Sequence, residues 1–299
     1  MVDVVGRGRG LGRGLGRVLR RIRDFAYAHP PRPETERPRL GLALGGGFAR
    51  GISHIGVLKV LEENGVRPDY LAGTSVGSII AAGYASGASV AELTRIARRA
   101  RWKDFARWTV SRMGLASNER MESFIRRFFH ALRFEDLRIP LAVVATDLVR
   151  GEAVVFTTGE LAMALRASCA YPGLFQPVAH NGSLLVDGGL VWSVPTKPVA
   201  ELGADIVVGV PLDAGSEPVN PKSLVDVLSR SFSIVQGVAR PLWREHADLI
   251  VEPRVGHYRW DDFERTEELI GAGEAAMWDA LPRLRQLLVL RPPTAEASP

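Results

Sequence analysis

Apolar residues in this chain gather in short uninterrupted runs, and between the runs they recur every three or four positions. The runs lie at Leu40–Leu44, Tyr70–Ala72, Leu141–Thr146, Ala153–Phe156, Leu184–Val186, Ile206–Val210 and Leu249–Val251. Runs of that length bounded by Gly, Pro or charge predict buried strands, and the three-to-four spacing predicts helices, first around residues 51–63 and again after Val76. Strand alternating with helix predicts an α/β fold in three α/β/α layers around a mostly parallel sheet, because a parallel crossover lays a helix on each face. One domain covering residues 39–290 accommodates the pattern.

Two segments fall outside it. Residues 1–38 form an arm of Gly-Arg and Gly-Leu pairs that ends in a Pro-rich link from His29 to Pro38. The tail Arg291–Pro299 is rich in Pro, Ala and Ser. The arm explains the charge: residues 1–40 carry ten Arg against four acids, a net of +6, whereas the other 259 residues carry a net of −1. The body is therefore nearly neutral, and no specific nucleic-acid partner is expected. A lone cysteine, Cys169, excludes an intrachain disulfide and a cysteine-built metal cluster. The arm has no apolar core for a signal peptide, so a cytoplasmic location is expected. The 22 uncharged positions from Tyr70 to Ala91 are long enough to span a bilayer, but they include four Gly and four Ser, and a sharp turn falls among them.

That turn carries the first candidate chemistry. Gly73-Thr74-Ser75-Val76-Gly77 is a G-x-S-x-G pentapeptide between a strand pattern and a helix pattern, the setting of a nucleophile elbow. Glycine at both flanks leaves room for the neighbouring chain. The helix that starts at Val76 aims its free amides at the serine, where negative charge develops. One strand earlier, Gly45-Gly46-Gly47-Phe48-Ala49-Arg50-Gly51 follows Leu40–Leu44. Such a loop directs successive N–H groups at a ligand, as an oxyanion hole or a phosphate cradle. Arg50 stands where a dinucleotide fingerprint needs glycine, and no Gly-Lys-Ser/Thr follows, which favours the oxyanion hole.

A serine nucleophile needs a base, and two kinds are on offer. Asp187 ends the run Leu184–Val186 and precedes Gly188 and Gly189; His257 follows the late run Leu249–Val251, as in a Ser-Asp-His order. His54 reads as a packed or surface residue. A carboxylate acting as base to serine must be partly desolvated, since its ordinary pKa is about 3.9.

The triple-glycine loop with Arg50, the Ser75 elbow and the Asp187-Gly188-Gly189 turn together resemble the patatin-like phospholipase family, in the bacterial branch similar to the catalytic domain of neuropathy target esterase. The blocks Ala145–Leu148 and Ala167–Pro172 strengthen the resemblance. It implies a serine hydrolase of lipid acyl esters, of phospholipase A, lysophospholipase or carboxylesterase type, with Ser75 as nucleophile, Asp187 as base and no histidine. It further implies an oxyanion hole from the segment Gly45, Gly46, Gly47 and Phe48, with Arg50, Gly51, Gly73, Gly77, Gly188 and Gly189 supporting the motifs, and no metal or cofactor. Phe48 stands where many members have a small residue, and Ser193 where asparagine is common.

Two other readings stay open: a triad esterase with His257 as base, and a lipid- or partner-binding protein with vestigial hydrolysis. The expected partner is a lipid or fatty-acyl ester. Residues 16–28, apolar at helical spacing among arginines, and residues 101–108, with Trp102, Phe105 and Trp108 at spacings of three, are the two candidate contacts with the inner membrane face.

Overall fold

A computed structural model describes residues 37–109, 111–212 and 220–290. The arm through residue 36, with its candidate contact at 16–28, and the tail from 291 lie outside the described residues. The expected strands form, with modest changes at their ends: β1 Leu40–Leu44, β2 Tyr70–Thr74, β5 Leu141–Asp147, β6 Glu152–Phe156, β8 Ser183–Asp187, β9 Ile206–Val210 and β10 Leu249–Ile250. Three more were not expected: β3 Arg107–Trp108, β4 Ala116–Ser117 and β7 Val178–His180. Strands of two or three residues carry too little alternation to be seen in sequence. The helices are α1 Ser53–Glu63, α2 Val76–Ala85, α3 Val90–Arg99, α4 Trp102–Phe105, α5 Arg120–Phe128, α6 Leu161–Ser168, α7 Thr196–Glu201, α8 Leu224–Arg244 and α9 Thr266–Leu290.

The main sheet runs β10-β9-β1-β2-β5-β8-β7, with β6 also paired to β5. The strands from β10 to β5 are parallel; β6 and β8 run antiparallel to β5, and β7 antiparallel to β8. The fold is α/β with helices on both faces. Leu40, Leu42, Leu44, Leu71, Val143, Ile206 and Val208 pack one face against α1, α2 and α9. Ala43, Ala72, Ala142 and Val207 point the other way, onto α7 and Trp243 of α8. The period of two assigns these faces, and small residues on the second let α7 sit close.

One pairing positions the site. Val143 and Val144 pair with both β2 and β6, while Ala145, Thr146 and Asp147 pair with both β6 and β8. A strand has two edges, so β2 and β8 share one edge of β5, end to end and running toward each other. The carboxyl ends of β2 and β8 therefore meet. The junction is pinned by Thr146, whose hydroxyl donates to the Asp187 carbonyl (2.9 Å), and by Asp147, whose carboxylate accepts from Ser183 Oγ and Arg150 Nη1, both at 2.7 Å. These donors hold the Asp147 carboxyl far below the ordinary carboxylate range.

Candidate active site

Ser75 sits between β2 and α2 with φ 54° and ψ −130°, a region that a side chain adopts only under constraint. The constraint is close backbone packing. A Cβ on Gly77 would lie 2.2 Å from the Leu44 carbonyl oxygen. Gly73 is pressed on Ser78, Gly51 on Val76, and Gly188 on the Val144 carbonyl. The Ser75 N–H donates to Ser168 Oγ (2.8 Å), and its carbonyl accepts from the Ser78 hydroxyl (2.6 Å). Ser168 belongs to the block Ala167–Pro172, and its role in holding the elbow appears only in three dimensions.

Asp187 is buried, 1% exposed. Burial drives its pKa up to about 7, even though the Gly189 N–H donates to the carboxyl (2.8 Å) and the nearby Ser75 hydroxyl also opposes the shift. Serine and carboxyl are thus brought together. His257 is not: it is exposed, packs at a tilt on Tyr258 with ring centroids 4.0 Å apart, and lines neither cavity that reaches Ser75.

The four loop residues differ in what their amides do. Gly45 N–H donates to Val210 O (3.0 Å) and Gly46 N–H to Ser193 O (3.2 Å), so both serve the fold. Among the described residues, the Gly47 and Phe48 amides donate to no other group of the chain, and both residues border the cavity with Ser75 and Asp187. Gly46 lies alongside the serine, where an added Cβ would come 3.2 Å from Ser75 Cβ. Phe48 takes a left-handed φ of 52° and packs its ring on Tyr171 (4.9 Å) and Trp260 (5.4 Å). Ser193 contributes its backbone carbonyl to the loop.

Two residues brace this loop. Arg50 Nε donates to Gly47 O (3.2 Å); burial lowers the guanidinium pKa, and among the described residues no carboxylate lies within ion-pair distance. His54 is fully buried with Nε2 2.8 Å from Gly45 O, and burial pushes its pKa down to about 4. It is therefore neutral, and Nε2 is the donor, since a carbonyl can only accept.

Two cavities of opposite character converge on Ser75 and Phe48. One, apolar, passes between α2, α3, α4 and α5, past Ile79, Leu93, Ala97, Phe105 and Phe124. The other is lined by Asp187, Arg50, Tyr171, Ser229, Ser233 and Gln236, the last three from α8. In the segment 101–108 the aromatic residues do not share one face. Trp102 stacks on Phe175 (5.4 Å) and Phe105 packs on Phe124 (4.7 Å), both lining the apolar cavity, whereas Trp108 points outward. The helix ends at Phe105, so the spacing of three does not continue to Trp108. Among the described residues no helix is long and apolar enough to cross a membrane.

The profile of a family described as Patatin-like phospholipase matches residues 42–200, the span that holds the end of β1, the glycine loop, the elbow and Asp187. An uncharacterized NTE family protein of Mycobacterium tuberculosis is 37% identical over 192 residues, covering 61% of this chain and 51% of its own. A protein named lysophospholipase NTE1 from Cryptococcus neoformans is 33% identical over 199 residues, covering 64% of this chain and 12% of its own. The chain thus spans about half the length of the mycobacterial relative and a small part of the fungal one. The crystal structure of VipD from Legionella pneumophila shares the fold, with a TM-score of 0.57 at 14% identity over 84% of this chain and 67% of that one. With its glycine loop, elbow and Asp-Gly-Gly turn all present, the chain belongs to the patatin-like phospholipase family.

Proposed function

We propose that the protein is a serine hydrolase of fatty-acyl lipid esters, of the phospholipase A or lysophospholipase type, working through a Ser75–Asp187 dyad. One observation carries the reading: a strained serine lines both the apolar cavity and the polar one, and in the polar one it shares the lining with a buried carboxyl, Asp187. Ser75 Oγ attacks the ester carbonyl while its proton passes to Asp187, and the oxyanion that forms accepts from the Gly47 and Phe48 amides. Collapse breaks the acyl–oxygen bond, and Asp187 returns the proton to the departing alcohol. Water then attacks the acyl-serine, giving its proton to Asp187 and then back to Ser75 Oγ, which releases the fatty acid. The apolar cavity takes the acyl chain; the polar chamber takes the alcohol, where Arg50 suits an anionic headgroup. Residue Trp108 of the 101–108 segment and the arm at 16–28 are proposed contacts with the membrane that supplies the substrate.

The test is a lipid panel. Purified protein is incubated with diacyl phospholipids, lysophospholipids and neutral esters, product acids are identified by mass, and Ser75 is probed with a fluorophosphonate. Labelling of wild type, with release of acid abolished in Ser75→Ala and Asp187→Asn but retained in His257→Ala, is the expected result. An active Asp187→Asn beside a dead His257→Ala points to a histidine base and ends the dyad reading. A folded protein that neither labels nor releases acid is a binder.

A further inference from the structure

Helix α8 has two faces with different tasks. Its inner face supplies Ser229, Phe232 and Gln236 to the catalytic chamber and buries Trp243. Its outer face bears Leu224, Val227, Ile234, Val238 and Leu242, of which Val238 is 77% and Leu224 63% exposed. Those positions recur at helical spacing along one stripe, which at 1.5 Å per residue runs for about 27 Å. An ordinary water-facing helix carries charge there. Along its length the helix has three arginines, Arg230, Arg240 and Arg244, against one carboxylate, Asp226.

We propose that this outer face of α8 docks on an anionic lipid surface, so that the helix closing one side of the catalytic chamber rests on the membrane. The proposal rests on the lipid-ester reading for why the face exists. Charge argues for lipid: arginines outnumber the single carboxylate along α8, and phosphate headgroups above buried acyl tails complement that positive sign and the apolar face together. Continuity with the site argues the same way. The hairpin β3–β4 exposes Trp108, Met113 and Leu115. Its Gly114 abuts the backbone of Phe175 and Gln176, while Leu228 of α8 abuts Gly173, so the two exposed apolar patches flank a single segment. That segment, residues 171–176, provides Tyr171 to the polar chamber and Phe175 to the apolar one. A lipid surface engages both patches and delivers acyl chains between them; a second copy pairing along α8 leaves the hairpin bare.

The experiment compares full-length wild type with Ile234→Glu/Val238→Glu, two exposed positions that line neither cavity. Co-sedimentation uses phosphatidylcholine vesicles with and without phosphatidylglycerol. Ester hydrolysis is measured with p-nitrophenyl butyrate in solution and with phospholipid presented in vesicles, alongside fluorophosphonate labelling and light-scattering mass. The expected result is that wild type binds the anionic vesicles, and that the variant loses roughly tenfold in both vesicle affinity and vesicle hydrolysis. Labelling and soluble-ester turnover stay unchanged. Equal vesicle binding by both proteins overturns the proposal, as does a wild type that does not bind. A wild-type dimer that the variant converts to monomer with vesicle binding intact gives the stripe to a second copy and also overturns it. If binding depends on the stripe but no ester is cleaved, docking stands and the hydrolase reading is the one that fails.

Discussion

Thr74 and Asp187 are successive neighbours along a single edge of β5: Thr74 pairs with Val144 and Asp187 with Ala145. The residue after Thr74 is Ser75, so the serine and the carboxyl meet because a parallel strand and an antiparallel strand end against each other there. Separated by more than a hundred positions, they are held by backbone pairing, which tolerates side-chain substitution better than a contact between loops.

The first prediction concerns pH. Burial raises the Asp187 pKa to about 7, and a base must be ionised, so kcat/KM for a soluble ester should rise with pH and level off above about 7. Folding shows the opposite sign. The unfolded carboxyl releases its proton near pH 3.9, the folded one near pH 7, so this group's contribution is full below about pH 4 and is lost as pH climbs through that window. Asp187→Asn should therefore raise Tm at pH 8 and leave it nearly unchanged at pH 4. A variant that melts lower than wild type at pH 8 would show that the buried charge is better compensated than its surroundings indicate.

His54 tests the bracing of the glycine loop. His54→Leu leaves Gly45 O without its buried donor, at a cost of about 1–3 kcal/mol in chemical unfolding, and should also lower kcat, with partial rescue in His54→Gln. The wild-type pKa of about 4 lies below the ordinary value. This group's contribution is therefore present above about pH 6.5 and lost as pH falls through about 4, so both variants should flatten the acid side of a Tm-against-pH curve. Unchanged kcat in His54→Leu would remove the residue from the account of the loop.

Two glycines should separate folding from chemistry. Gly77→Ala places a Cβ 2.2 Å from the Leu44 carbonyl oxygen, a backbone atom that cannot yield, and should cost more than about 3 kcal/mol or prevent folding. Gly46→Ala meets Ser75 Cβ at 3.2 Å; the chain should fold, and fluorophosphonate labelling should slow. Circular dichroism with labelling kinetics distinguishes them, and a Gly77→Ala protein of wild-type stability contradicts the packing described.

Ala97 is buried on α3 and lines the apolar cavity. Ala97→Phe should shorten the space for an acyl chain, reducing kcat/KM on a palmitoyl ester by about tenfold relative to a butyryl ester. Equal losses on both chain lengths would assign the acyl chain elsewhere.

Much of this was written in the order of residues. The strand runs, the loop Gly45–Gly47, the elbow at Ser75 and the Asp187 turn are local patterns, dictated by which faces must be apolar and where a side chain cannot fit. Phe48 and Arg50 were visible as positions without their surroundings: the left-handed φ of Phe48, and the Arg50 guanidinium turned onto the Gly47 carbonyl, follow from neighbours far away in sequence. The outer stripe of α8 was written in the chain as well, yet its significance depends on which side of the helix the catalytic chamber occupies. Whether Asp187 or His257 lies beside Ser75 is not legible in a one-dimensional pattern, which gives order and not distance. Tertiary structure brings Asp187 there, since β8 enters antiparallel on the edge of β5 that β2 vacates, and strand order is a long-range choice that no single segment encodes.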